Sequence, residues 1–292
     1  QLTTTGARTF NVGGNFTISG GTLTMSAGSG TATINISANF SHTNGIITET
    51  STGAGAIVFN KAGTQTFTSG GTVSNTINFT VNNGSTLQMA SDTAAVTGGG
   101  SFIQSSGAGL GITSSSGITS SGVSGNIQVD GTRSYNAGAN YIYNGTAAQA
   151  TGSGLPAAIT GATTINNSAG VALTNSLTAT TLNLENGILD GAANTKAVTI
   201  ATGGSVTRTN GWIKGDLIKN VATGATSRTF EIGAANYNPM TITFGNVSVA
   251  GNLTVKATLG QHSNIGTSAI NSSKDVNVYW SLTNSGITFN DY

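Results

Sequence analysis

The chain has 292 residues, 43 of them glycine, and 7% are charged where soluble domains usually reach ~25%; ten Lys and Arg against nine Asp and Glu leave a net charge of +1. So neutral a surface has no field with which to hold a phosphate backbone, which excludes nucleic acid as a partner. The absence of cysteine removes disulfides, thiolate metal sites and cysteine nucleophiles, and no segment approaches the ~20 apolar residues of a membrane span.

Gly, Ser, Thr and Asn in this abundance are also the composition of disordered linkers, but 37% of residues are apolar, only two are proline, and the apolar ones are regularly spaced. The opening shows the spacing. GARTFNVGGNFTISGGTLTM, from Gly6 to Met25, matches GTATINISANFSHTNGIITE, from Gly30 to Glu49, at an offset of 24 residues without a gap. A period in the twenties predicts a solenoid. Within one unit, Phe10 and Val12, Phe16 and Ile18, and Leu23 and Met25 alternate as half-buried strands do, with glycine pairs at Gly13-Gly14 and Gly20-Gly21 read as corners. One such coil cannot bury its own apolar side chains; a second coil laid on it, at a spacing of about 4.8 Å, buries them and pairs the strand edges. Like residues then stack. Phe16 is expected on Phe40 inside the rod, and Asn15 on Asn39 at an inward corner, each amide bonding to the next coil.

Further echoes continue the pattern. GAIVFNKAGTQTFTSGG from Gly55 is read against GNIQVDGTRSYNAGANYIYNG from Gly125, and INFTVNNGSTLQM from Ile77 against TTINNSAGVALTN from Thr163. About nine coils fit before Gly215 at this period. The Ser/Gly run Ser105 to Ser124 is either a thin coil or a loop bulging from the rod. After Gly215 the 24-residue echo ends and longer alternating strands appear, as in PMTITFGNVSV and VNVYWSLTNSGITF. The predicted architecture is all-β: a right-handed parallel β-helix over residues 1–214, then a β-sandwich-like or capping module over residues 215–292.

GLPAAITGATTINNSAGVALTNSLTATTLNLENGIL, FEIGAANYNPMTITF and INSSKDVNVYWSLTNSGITF together resemble the β-solenoid repeat regions of very large secreted surface proteins of Bacteroidota, with related rungs in filamentous-haemagglutinin-like adhesins. The resemblance implies a cell-surface or extracellular location, export by the type IX route, and a structural or adhesive role. It brings no catalytic residue, metal or cofactor with it. The partners it implies are copies of the chain in a filament, or further repeats of a larger protein, and surface glycans.

Two other classes share this shape. A polysaccharide-degrading β-helix needs paired carboxylates; among the acids Glu49, Asp92, Asp130, Glu185 and Asp190, the only close pair is Glu185 and Asp190, flanking a glycine corner. An ice-binding solenoid needs Thr-x-Thr rows in register, and Thr22-Leu23-Thr24 is followed one coil later by Ile46 in the place of Thr22. His42, aligned with the inward-facing Ile18, and His262 lie in different modules and have no ligand partners at metal spacing. Tyr135, Tyr141 and Tyr143 are candidates for glycan contact, with inward packing the alternative. Asp92-Thr93-Ala94 is similar to the O-glycosylation signal of Bacteroidota.

Overall fold

Alternating apolar and hydroxyl residues give a strand one inward and one outward face. In a computed structural model describing residues 1–50 and 52–292, 54% of the chain is strand and 2% helix, and the stacked parallel strands form a β-solenoid of about 9 turns. The helical pieces are single 3-10 turns at Ala192–Asn194 and Ile265–Thr267.

The first two repeats set the stacking. Strands Ala7–Val12 and Phe16–Thr24 lie beside Thr31–Ile36 and Phe40–Thr48, and parallel register joins Phe10 to Ile34 and Phe16 to Phe40, the 24-residue offset of the sequence. Gly20-Gly21 is not the break expected of it. Register slips between Ser19 and Thr22 and Gly21 takes φ +73°, so the nine-residue strand kinks and continues.

One wall of the rod is a six-stranded sheet: Ala7–Val12, Thr31–Ile36, Gly55–Phe59, Ile77–Val81, Phe102–Gln104 and Arg133–Ser134. A second, the long wall, starts at Phe16–Thr24 and takes one strand from each successive coil as far as Asp216–Val221. A third wall, of four short strands, runs from Gln149–Ala150 to Trp212–Lys214. Inside, the side chains form columns such as Phe10, Ile34, Ile57, Phe79 and Phe102 on the first wall and Leu87, Leu110, Tyr141, Thr163 and Leu182 on the long one. Apart from Phe10, which lies on the uncovered first coil, and the polar Thr163, they belong to one continuous core.

Coil length drifts. The offset is 24 between Ala7 and Thr31, 31 between Gly109 and Asn140, and 19 between Val198 and Leu217. The longest coil resolves the Ser/Gly run into both of its readings. Gly109–Ile112 is a fully buried strand of the long wall, whereas the residues after it leave the wall, return Ile118 to the core and expose Val123 to 86%. Arg133 holds this excursion without any carboxylate. Its guanidinium donates to the carbonyls of Thr119, Gly122 and Val129 and to Thr119 Oγ1.

Two of the sequence echoes do not mark stacked neighbours. Gly55–Phe59 pairs with Ile77–Val81, not with residues near Gly125, and Ile77–Val81 lies on the six-stranded wall while Thr163–Ile165 lies on the long one. The similarity is local, strand–turn–strand, and the same local pattern serves at different corners of the rod.

Parallel stacking ends at Asp216–Val221. Its free edge receives Gly251–Leu259 antiparallel, and that strand receives Val278–Ser285, again antiparallel. Gly224–Phe230, Met240–Val249 and Thr288–Phe289 form a separate antiparallel sheet. Phe244, Val247 and Ile287 are buried with Leu253 and Val255 of the long wall in the same core, which makes this end a two-layered, sandwich-like module continuous with the rod.

Candidate functional site

The predicted ladders form. Phe16 and Phe40 stack with ring centroids 5.7 Å apart and planes 12° from parallel, and Phe67 continues the stack 4.9 Å beyond Phe40. Phe59, from the facing wall, meets Phe40 and Phe67 edge-on. Offset-stacked and edge-on contacts are the geometries aromatic quadrupoles favour. Asn15 Oδ1 accepts from the backbone N–H of Asn39 at 3.2 Å, and Asn39 Oδ1 accepts in turn from Thr66 N–H at 2.9 Å. Each amide does reach the next coil, but both side chains are exposed, so the corner faces outward rather than inward.

Tyr141 and Tyr143, candidates for glycan contact, are fully buried, and Tyr135 is half-buried against Phe102. Their hydroxyls donate to the carbonyls of Asn136, Thr151 and Thr119. Burial pushes all three phenols above their ordinary pKa. The buried rings of Tyr141 and Tyr143 present no face to a sugar, and the inward alternative holds for these two. Alternation put them on one face, and the neighbouring coils made that face the interior.

His42 occupies the inward slot aligned with Ile18 and is 2% exposed. Its ring lies edge-on to Phe40, its Nε2 is 3.2 Å from the Gly45 carbonyl, and burial lowers its pKa, an effect partly opposed by that hydrogen bond. Gly71 lies against the imidazole so closely that a Cβ there would sit 2.1 Å from Nε2. His262 instead meets Tyr279 in the C-terminal module.

Two of the acids, Asp190 and Glu49, bond across coils. Asp190 bonds Lys214 at 2.8 Å, one coil on, and accepts from Ala193 N–H, while Glu185 is exposed. Glu49 is buried at the slot aligned with Met25, and its Oε1 accepts from Thr76 N–H. No group of three or more His, Cys, Asp or Glu side chains among the described residues could hold a metal ion. The Thr-x-Thr row fails in register as expected, with Thr22 paired to Ile46 and Ile46 to Thr72. Thr93 of the Asp92-Thr93-Ala94 sequence is exposed, with its hydroxyl 3.1 Å from that of Ser91.

Sequence reasoning missed a set of buried amides. Asn126 donates to the Ala94 carbonyl and accepts from the N–H groups of Thr113 and Ser114; Gln149 donates to the carbonyls of Ile112 and Ser114 and accepts from Gly145 N–H and from Asn167. These side chains satisfy the backbone where the long coil leaves the wall, where no strand is present to do so. Gln65, two residues before Phe67 on the same strand face, carried the available signal: an amide in an apolar slot.

The two ends of the rod differ from its middle. At the N-terminal end Leu2, Phe10, Phe16, Ile18 and Leu23 line an open depression of ≈ 630 Å³. At the other, Ile242, Phe244, Leu282, Ile287, Phe289 and Tyr292 line an apolar groove of ≈ 550 Å³ between the two sheets. Fold and surfaces together define a β-solenoid repeat protein with a sandwich-like end. No protein-family model matches the chain, and no curated protein or solved structure is significantly similar to it.

Proposed function

We propose that the chain is a stiff structural or adhesive element of an extracellular bacterial surface fibre. The observation that carries this reading is the long wall: one hydrogen-bonded sheet whose path of twelve neighbouring strands begins at Phe16 and ends at Ser285, drawing strands from along nearly the whole chain. At the usual strand spacing that wall extends roughly 50 Å along the rod. Bending or stretching such a body strains many ladder hydrogen bonds at once, and proteases find few accessible extended segments. The neutral, hydroxyl-rich outer face supports solubility and weak contacts that repetition along a fibre multiplies. The resemblance to secreted solenoid repeats supports the location outside the cell, with which the absence of cysteine is compatible.

Electron microscopy and small-angle scattering of the purified chain test the reading. Protease-resistant rods, single or joined end to end, are expected; a compact, readily digested particle overturns it. Incubation with plant and bacterial polysaccharides, comparing wild type with Glu185→Gln, separates this role from polysaccharide cleavage, and reducing ends lost with the substitution would reverse the assignment.

A further inference from the structure

We infer that the rod is a head-to-tail subunit, in which the strand Val278–Ser285 of one copy pairs in parallel with Phe16–Thr24 of the next. This inference rests on the fibre reading above and names the surfaces that would join its subunits. Phe16–Thr24 and Val278–Ser285 are the two outermost strands of one sheet, the long wall. They are of similar length, nine and eight residues.

Direction decides whether one can extend the other. Every strand of the wall from Phe16–Thr24 to Asp216–Val221 runs parallel. The next strand reverses and Val278–Ser285 reverses again, which restores the original direction. The last strand of the sheet thus presents to the solvent an edge of the polarity that the first strand meets in its own next coil. Stacking a second copy on it continues the ladder without a change of hand.

Both edges lack charge and proline, although the first strand kinks at Gly20-Gly21 and its Thr24 carbonyl already accepts from Leu2 N–H, which leaves Phe16–Ser19 as its open stretch. Isolated soluble proteins protect such edges with charge, proline, a bulge or a covering loop. FTISGGTLT and VYWSLTNS contain no charged residue and no proline, and the last strand keeps unbroken register with its neighbour over eight pairs. The interiors also correspond. Phe16 and Ile18 line the open depression at one end, while at the other Val278 and Trp280 pack against the core and Leu282, 44% exposed, lines the groove. The proposed joint is the coil-to-coil interface of the rod repeated once more between molecules. Because the two surfaces differ, the contact is heterologous, and because they lie at opposite ends of one stacked sheet, repeating it advances along the stack and generates an open filament.

Sedimentation velocity and electron microscopy over a concentration series test this with four samples. Wild type is expected to form unbranched threads of uniform width. Ser281→Lys/Thr283→Lys and Thr17→Lys/Ser19→Lys place charges on exposed positions of one edge each, and either is expected to lower the assembled fraction about tenfold or more. An equal mixture of the two double variants leaves one intact edge of each kind and is expected to give 1:1 dimers that grow no further. Single variants Ser281→Lys and Thr17→Lys serve if a double variant loses the wild-type melting temperature. The inference is overturned if wild type stays monomeric at every concentration, if either edge variant assembles like wild type, or if the mixture grows beyond dimers. Dimers that only the Thr17 variants abolish would indicate head-to-head contact and overturn it equally. Monomers that are still short, protease-resistant rods would sink this inference alone and leave the fibre reading standing.

Discussion

The first and second coils are nearly the same sentence, and the structure treats them differently. Phe10 is 36% exposed where its partner Ile34 is 2% exposed, and Phe16 is half-buried where Phe40 is 1% exposed. Leu23 is likewise half-buried above a fully buried Ile47. The second coil has neighbours on both sides and the first has one. Burial in a solenoid is therefore a property of position in the stack, and matched substitutions in the two coils isolate what a second neighbour contributes.

The largest expected difference is at the aromatic ladder. Phe40→Ala removes a ring that is stacked on both faces and should cost about 3–5 kcal/mol, whereas Phe16→Ala, with one face already open, should cost about 1–2 kcal/mol. Denaturant melts of both variants check this. Equal losses would mean that the first coil is as buried in solution as the second.

Glycine gives the next pair. Gly21 and Gly45 both have positive φ, +73° and +84°, but a Cβ at Gly45 would lie 2.6 Å from the Gly21 carbonyl oxygen while one at Gly21 would meet nothing within 4 Å. Gly21→Ala should cost about 1 kcal/mol, for the left-handed backbone alone, and Gly45→Ala about 2–4 kcal/mol, because stacking adds a clash. Thermal melts that fail to rank the two in this order would break the close-stacking argument.

A third pair reads pH. Burial holds the pKa of His42 below 6.5, so the unfolded chain takes up the proton first. With a lowered folded-state pKa, the neutral imidazole is without penalty above the unfolded value, and stability declines as pH falls below 6.5 toward the folded-state pKa. The wild-type melting temperature should therefore fall between about pH 7.5 and 5.5, and His42→Ile, which installs the residue of the first coil, should flatten that slope. An unchanged slope would place the sensitivity elsewhere.

The smallest effect belongs to the outer face. Asn35 Nδ2 donates to Asn11 Oδ1 at 2.8 Å in the open. Asn11→Ala and Asn35→Ala should each cost at most about 1 kcal/mol and by similar amounts, since water replaces the lost partner. A large loss at either position would show that the exposed amides stabilise the stack more than the outward geometry implies.

Much of this was legible before any coordinates. The 24-residue offset is copied into the pairing of Phe16 with Phe40, whereas parallel pairing runs on past Gly215, where the echo ends, into Asp216–Val221 before the next strand turns antiparallel. The echoes at Gly125 and Thr163 carry no information on which coil lies on which, because strand–turn–strand patterns recur at every corner and no local feature says which corner is meant. The tyrosines were ambiguous for a related reason: period two tells that Tyr141 and Tyr143 share a face without telling which side of the wall it is. The buried amides at Asn126 and Gln149 escaped because Asn and Gln look like turn residues until the strand that should have satisfied the backbone is seen to be absent.

By itself, then, the sequence determined the local grammar: alternation, glycine kinks, the near absence of charge and the first period, all of which act between residues close along the chain. The tertiary structure alone decided which coil lies on which, how the 31-residue coil is absorbed, which faces are interior, and that the last strand of the long wall points the same way as the first. Those features depend on contacts between residues a full coil or more apart, where backbone hydrogen bonds accept any side chain and only packing against the neighbouring coil selects the partner.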